Sequence, residues 1–240
     1  GSGEFLRPTY AAALPDGGLL VADELQNCIV ELTPLGEPRR TIRSGGAHEE
    51  MQFCYPTGVA TDGEYLFIAD SLNYRIQKLR LSDLECAGCA GSKGSGDDQL
   101  KGPQGLALHG EQLFVADYWS HRVLVYSTEL VFQYAFGREG AGPDELNKPT
   151  GIAADDGDLF VADSGNGRVQ VFTTRGEHLR SIGGESTAAG RFDNPRGLVV
   201  ADGWLIVAEF TGKRLHLLTR DGEHVLALAP SGGGGLCGLC

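Results

Sequence analysis

Short apolar runs alternate with polar turns along the whole chain, and this alternation repeats. Each period opens with a proline and a small, apolar run such as Gly58-Val59-Ala60. A Gly/Asp turn, an LFIAD-type run, a four-residue loop and an RIQKL-type run with period-two alternation follow. A weaker apolar run, such as 130–136 or 178–182, ends the period. The pattern therefore predicts four short strands in every period.

The period itself indicates the architecture. The phasing prolines Pro8, Pro56, Pro103, Pro149 and Pro195 lie 46 to 48 residues apart. Four strands in about 46 residues are typical of a β-propeller blade, whereas solenoids need shorter periods or helices. We predict an all-β chain, a single β-propeller domain over 1–240. The predicted blades are 5–45, 53–92, 100–138, 146–184 and 192–229.

The repeated motif resembles that of a known family. Segments 53–79 and 146–172 match best, with (F/L)-x-x-P-x-G, then LF(V/I)AD, then N-x-R. The pattern is similar to the NHL repeat and recurs in phase along essentially the whole chain, although Cys28 stands where other blades have Arg. NHL propellers usually have six blades. The resemblance therefore implies that these five belong to a six-bladed ring, with 230–240 a linker toward a further blade. A closed five-bladed ring is the alternative.

An acid closes the second strand and an arginine opens the third in four of the repeats. The spacing of five across a four-residue loop places the two groups side by side. A ring of active-site acids is one interpretation, but recurrence in blade after blade favours ion pairs that hold the loop, because catalysis needs an asymmetric site. The pairs are Asp70/Arg75, Asp117/Arg122, Asp163/Arg168 and Glu209/Arg214. Asp23 has no arginine partner, so blade 1 is expected to be looser.

Strand direction sorts the loops onto two faces. The first-to-second turns contain acids and no Lys or Arg, which predicts a negative face. The second-to-third loops and the linkers between blades share the opposite face, which we call the loop face. Exposed aromatic loop residues are a mark of interfaces. The candidate binding residues there are Tyr74, Tyr118, Trp119, His121, Phe210 and Lys213.

Composition and charge narrow the classes of partner. Gly is abundant, at 36 of 240 residues, as many tight turns require, and the net charge is −12. Such an acidic chain disfavours nucleic acid, and no apolar run is long enough to span a membrane. No disulfide framework is evident, which mildly favours a reducing, intracellular location.

Metal chemistry is not predicted. The amidating lyases that resemble NHL propellers place zinc-binding His directly after the repeat Pro; here those positions hold Thr9, Thr57, Gln104, Thr150 and Arg196. Asp62 and Asp155 could serve a calcium site, but Asp before a turn more often bonds its own backbone. Strand alternation predicts that Cys86 and Cys89 point to opposite faces, and Cys237/Cys240 lie far away in sequence. No metal site or cofactor is therefore expected.

The sequence favours a non-catalytic scaffold for protein–protein interaction, as one domain of a larger chain or complex. Some NHL propellers belong to ubiquitin ligases, but no ligase domain is present in these residues. A propeller hydrolase or lyase with an axial Ca²⁺ or Zn²⁺ is the alternative, and RNA binding through a basic face is a second. The net charge of −12 argues against the last.

Overall fold

All regular structure in the described part of the chain is short β-strand, apart from two 3₁₀ turns. The computed structural model describes residues 5–43, 52–184 and 190–229. They form five four-stranded antiparallel sheets, each of four consecutive strands in chain order. The all-β class and the five four-stranded blades predicted from the sequence are confirmed. The predicted linker 230–240 lies outside the described residues.

Each blade runs from an innermost first strand to a fourth strand at the rim. Blades 1 and 2 comprise β1 Pro8–Ala13, β2 Leu19–Asp23, β3 Cys28–Leu32, β4 Pro38–Ile42, β5 Pro56–Thr61, β6 Tyr65–Asp70, β7 Arg75–Arg80 and β8 Cys86–Ala90. Blades 3 to 5 comprise β9 Pro103–His109, β10 Gln112–Asp117, β11 Arg122–Ser127, β12 Phe132–Phe136, β13 Pro149–Asp155, β14 Asp158–Asp163, β15 Arg168–Thr173, β16 His178–Gly183, β17 Pro195–Ala201, β18 Trp204–Glu209, β19 Leu215–Thr219 and β20 His224–Leu228.

Apolar layers between successive blades form the core. The second strands are apolar without alternation because a neighbouring blade covers each face of the sheet. In β6, for example, every residue after Tyr65 is buried. One layer joins blades 2 and 3 through residues such as Phe67, Leu113 and Tyr126. Similar layers join blade 1 to 2, 3 to 4 and 4 to 5.

Glycine two residues after the phasing proline lets the innermost strands approach closely. A Cβ at Gly105 would lie 2.4 Å from the carbonyl oxygen of Thr150 in the next blade, too close for any side chain. The same holds at Gly58 and Gly151, against the carbonyls of the following blades. Blade 1 carries Tyr10 at this position. Its hydroxyl donates instead to the carbonyl of Arg196 in blade 5, at 3.1 Å.

The face of blade 5 that points away from blade 4 is apolar and open along the rim. Ile206, Leu217 and Leu226 form one row across its strands. Leu226 is 45% exposed and Leu228 is 53% exposed. All five residues of β20 are exposed. Near the axis, the side chain of Tyr10 in blade 1 reaches blade 5 through its hydroxyl. At the rim, no described residue covers this face of blade 5.

A β-bulge interrupts the fourth strand of every blade. In blade 2, Leu79 pairs with Cys86 and Lys78 with Gly88, which leaves Ala87 unpaired. The equivalent unpaired residues of the other blades are Arg39, Gln133, Leu179 and Val225. The extra residue changes the alternation. Cys86 and Cys89 oppose Leu79 and Gln77 and so share one face, and the expectation of opposite faces is wrong.

Candidate interaction face

The loop between the second and third strands ends in a left-handed residue in all five blades. These residues are Asn27, Tyr74, His121, Gly167 and Lys213, with φ between 51° and 67°. Gly and Asn adopt this conformation readily, whereas Tyr, His and Lys do so at some cost. Tyr74, His121 and Lys213 are three of the six candidate binding residues. The hairpin loop therefore constrains the backbone conformation of half of the candidates.

The acid that closes the second strand clamps the linker entering its blade. All five acids are fully buried: Asp23, Asp70, Asp117, Asp163 and Glu209. Each accepts backbone N–H groups from the residues just before the phasing proline, for example Asn147 N to Asp163 at 2.6 Å and Gly102 N to Asp117 at 2.7 Å. The clamp ties the linker to the second strand in every blade.

The arginines reinforce three of these clamps. The Nε atoms of Arg75, Arg168 and Arg214 lie 2.8, 2.7 and 2.9 Å from Asp70, Asp163 and Glu209. The contact uses one nitrogen, because the terminal N–H of Arg168 donates to the linker carbonyls of Gly142 and Glu145.

The fourth pair departs from the prediction. Arg122 donates to the carbonyls of Gly96 and Gln99 at 2.6 and 2.9 Å, and no ion pair joins it to Asp117 in the described residues. Asp117 instead accepts two backbone N–H groups of the linker. In blade 1, the side chain of Gln26 donates to Asp23 at 2.9 Å and takes the place of the missing arginine.

Burial raises the pKa of two of these acids. Desolvation raises the pKa of Asp117, against the hydrogen bonds that favour its charged form. Desolvation likewise raises the pKa of Asp163, against its bonds to Asn166, Asn147 and Arg168. Both carboxylates are buried among the groups that donate to them, which is consistent with a structural role.

Trp119 is the most exposed aromatic ring on this face. It is 56% exposed and meets Tyr118 edge to face, with ring centroids 4.8 Å apart. Lys148 Nζ lies over both rings, 5.3 Å from the centroid of Trp119 and 5.9 Å from that of Tyr118. The ring packs on Gly102, where a Cβ would come within 2.9 Å of it. Tyr118 and Trp119 therefore present an aromatic surface that rests on Gly102 and lies beside the ammonium group of Lys148.

Of the other four candidates, three are half-buried and one is exposed. Tyr74 is half-buried beneath Lys93, whose Nζ is 4.8 Å from the ring centroid. His121 accepts the backbone N–H of Lys148 through Nδ1 at 3.2 Å. Phe210 is half-buried against the guanidinium of Arg196, 4.2 Å away, and Lys213 is exposed.

Two leucines complete an apolar arc that the sequence interpretation missed. Leu25 and Leu72 occupy the second loop position in blades 1 and 2, as Trp119 does in blade 3. They are 51% and 53% exposed. Three consecutive blades thus present a large apolar side chain at one repeated position. We call Leu25, Leu72 and Trp119 the loop-face arc.

Cations outnumber acids at the positions next to the phasing prolines, which adjoin this face. Within two residues of the phasing prolines stand four cations, Arg7, Lys101, Lys148 and Arg196, and one acid, Asp193. The chain as a whole is acidic, so this concentration of positive charge is local.

A buried carboxylate lies among these cations. Glu24 follows β2 and its side chain is 5% exposed, with Oε1 2.5 Å from Arg7 Nε. Arg7 also donates to the hydroxyl of Tyr55 at 3.0 Å. Desolvation raises the pKa of Glu24, although Arg7 opposes this. This group anchors Arg7 at the centre of the face.

The opposite face carries the acidic turns, and arginines from neighbouring strands reach them. Asp62 accepts the backbone N–H groups of Glu64 and Tyr65, and Asp155 lies 3.4 Å from Arg220. Both acids are therefore engaged in turn and ion-pair contacts. The described residues hold no cluster of three or more metal-binding side chains, and they include no helix long and apolar enough to cross a membrane.

Comparison with known proteins agrees with the fold. Residues 146–172 match the model of the NHL repeat. A nidogen/laminin complex structure is similar with a TM-score of 0.75 and 16% identity, over 96% of this chain and 83% of that one. A streptogramin B lyase structure gives 0.66 and 16%, over 96% and 71%. No curated protein sequence matches the chain.

A further similar structure is a catalytically inactive virginiamycin B lyase from Staphylococcus aureus with quinupristin. Its TM-score is 0.68 at 12% identity, over 97% of this chain and 73% of that one. The five blades and these likenesses define the chain as a β-propeller. Residues 146–172 of its fourth blade match the NHL-repeat model, which confirms the predicted resemblance to that repeat.

Proposed function

We propose that the chain is a non-catalytic interaction propeller that binds an acidic, partly apolar protein segment on its loop face. The observation that carries this proposal is the loop-face arc. Exposed large apolar side chains stand at one repeated position of three neighbouring blades, and a concentration of exposed apolar surface on one face is typical of interaction sites. A repeated fold position needs no exposed leucine or tryptophan for its own stability.

The surrounding charge indicates the chemistry of the partner. Lys148 lies over Trp119, and Arg7, Lys101 and Arg196 occupy positions next to the phasing prolines of blades 1, 3 and 5. A segment with carboxylates and apolar side chains would pair with these cations while covering the arc. Complementary charge of this kind improves specificity and association rate.

The structural neighbours support the proposal in general terms. One of them is a propeller in a nidogen/laminin complex, and others are lyases. Identities of 12–16% show the fold alone, so the choice between binding and catalysis rests on the loop face.

A peptide-display selection tests the proposal. The bait is the folded chain, and the competitor is the triple variant Leu25→Asp, Leu72→Asp, Trp119→Ala. We expect the parent to enrich peptides that combine Asp or Glu with Leu, Ile or Phe. The triple variant should lose at least about tenfold in affinity for them, because apolar contacts at the centre of an interface dominate binding.

Leu35→Asp is the matched control. Leu35 is 88% exposed in a third-to-fourth turn, on the opposite face. Its substitution should leave peptide affinity unchanged. The proposal fails if the selected peptides bind the triple variant as tightly as the parent. Salt-sensitive binding of single-stranded RNA in a filter assay, lost in Lys148→Glu, would instead favour a nucleic-acid partner.

A further inference from the structure

Two histidines meet at the rim of blade 5. His216 lies on β19 and His224 on β20, and the bulge at Val225 brings both to the same face of the sheet. Nδ1 of His216 and Nε2 of His224 are 3.1 Å apart. Their rings are nearly perpendicular, at 73°.

The surroundings hold His216 in one orientation. Its ring packs against Phe192, with centroids 5.1 Å apart, and its side chain is 9% exposed. Nε2 lies 3.1 Å from Oε1 of Glu209, at an angle too oblique for a straight hydrogen bond. Glu209 is itself fixed by Arg214 Nε and by the backbone N–H of Asp193, each at 2.9 Å.

The carboxylate selects the useful tautomer. A carboxylate beside Nε2 favours the proton on that nitrogen, which leaves a lone pair on Nδ1 directed toward His224. A neutral imidazole is the form that binds metals.

We infer that His216 and His224 form a two-imidazole site for a borderline divalent cation such as Zn²⁺, with Glu209 orienting the inner ligand. Nitrogens 3.1 Å apart subtend about 98° at a metal bound at the usual Zn–N distance of roughly 2.0–2.1 Å. That angle suits a tetrahedral or five-coordinate ion. His224 is exposed, so it can turn its lone pair toward the ion, and water or a further ligand would complete the coordination shell.

Blade 4 contains the same arrangement with one imidazole replaced. His178 occupies the position of His224, and Gln170 occupies that of His216, with His178 Nε2 2.9 Å from the amide oxygen of Gln170. An amide is a poor ligand for zinc compared with a second imidazole. The chain therefore carries its own control site, one blade away.

Zinc titration in competition with a chromophoric chelator tests the inference. Accessible cysteines are first alkylated with iodoacetamide on the folded protein, which removes thiolate binding. We expect one Zn²⁺ per chain. His224→Ala should weaken binding about tenfold or more, because it removes one of two ligands from an exposed position. His216→Gln, which copies blade 4, should do the same, and His178→Ala should not.

Imidazole ¹⁵N NMR provides a second readout. Zinc should shift Nδ1 of His216 and Nε2 of His224 and leave the ring of His178 unchanged. Because His224 is exposed, its variant tests the site even if His216→Gln folds poorly. Equal zinc affinity in the parent and in His224→Ala, or no saturable binding by the alkylated parent, would overturn the inference.

Discussion

At the scale of single residues, the buried acid of each blade shows how a repeated polar group can be structural. Asp163 is fully buried, yet it contacts the backbone N–H of Asn147, the side-chain amide of Asn166 and the guanidinium of Arg168. Each partner belongs to a different part of the blade: the linker, the loop or the third strand. Removing the carboxylate leaves Nε of Arg168 and the backbone N–H of Asn147 without their acceptor.

Asp163→Ala should therefore destabilise the chain by about 3–5 kcal/mol, the usual cost of breaking a buried ion pair. Urea unfolding followed by circular dichroism measures this. Asp144→Ala is the control, since Asp144 is exposed and paired with the exposed Arg138. A loss at position 163 no larger than that at 144 would contradict the clamp.

At the scale of elements, the rim strands differ in how far the molecule covers them. Every residue of β20 is exposed, whereas β16 ends in two buried residues. Strands with few buried apolar contacts open locally at low free energy. β16 and β20 are of similar length, with six and five residues. Each contains the same bulge and pairs with the third strand of its blade, so the two strands can be compared directly.

Amides of β20 should exchange with deuterium faster than those of β16, in a peptide-resolved exchange experiment on the 240-residue chain. The difference should appear at the earliest labelling times, because local opening limits exchange there. Equal protection of β20 and β16 would show that the open face of blade 5 is covered after all.

The sequence predicted the strands well and their irregularities poorly. Apolar periodicity and the phasing prolines place four strands in each period, since these features recur. The bulge at Ala87 leaves no such mark, because one extra residue depends on pairing with β7. Leu25 and Leu72 were missed because an exposed leucine looks like a core leucine in sequence. The departure of Arg122 depends on linker carbonyls whose position no local pattern encodes.

At the scale of the whole molecule, the spacing of the innermost strands sets how tightly the blades approach the axis. Gly105 allows the carbonyl of Thr150 in the next blade to lie where a side chain would otherwise stand. Blade 1 uses Tyr10 at this position and reaches blade 5 through a hydroxyl. Glycine thus allows close approach of the innermost strands at three blade contacts, and the longer side chain of Tyr10 bridges blades 1 and 5.

Gly105→Ala should cost about 1–3 kcal/mol or more, the usual penalty for overpacking, because its Cβ would meet rigid backbone. Gly88→Ala in β8 should be nearly neutral, since the nearest atom there is 3.6 Å away on the side chain of Leu130. Thermal unfolding of the two variants makes the comparison. A melting temperature for Gly105→Ala at or above that of Gly88→Ala would refute this account of blade spacing.

The recurrent bulge has a consequence for the tendency of the propeller to aggregate. Each fourth strand is the outer edge of its sheet, and a regular edge offers unpaired backbone groups to other chains. An unpaired residue at the second position of all five rim strands bends each edge and breaks its hydrogen-bonding register. The circumference of the molecule therefore resists edge-to-edge pairing with other copies and the fibrous aggregation that such pairing begins.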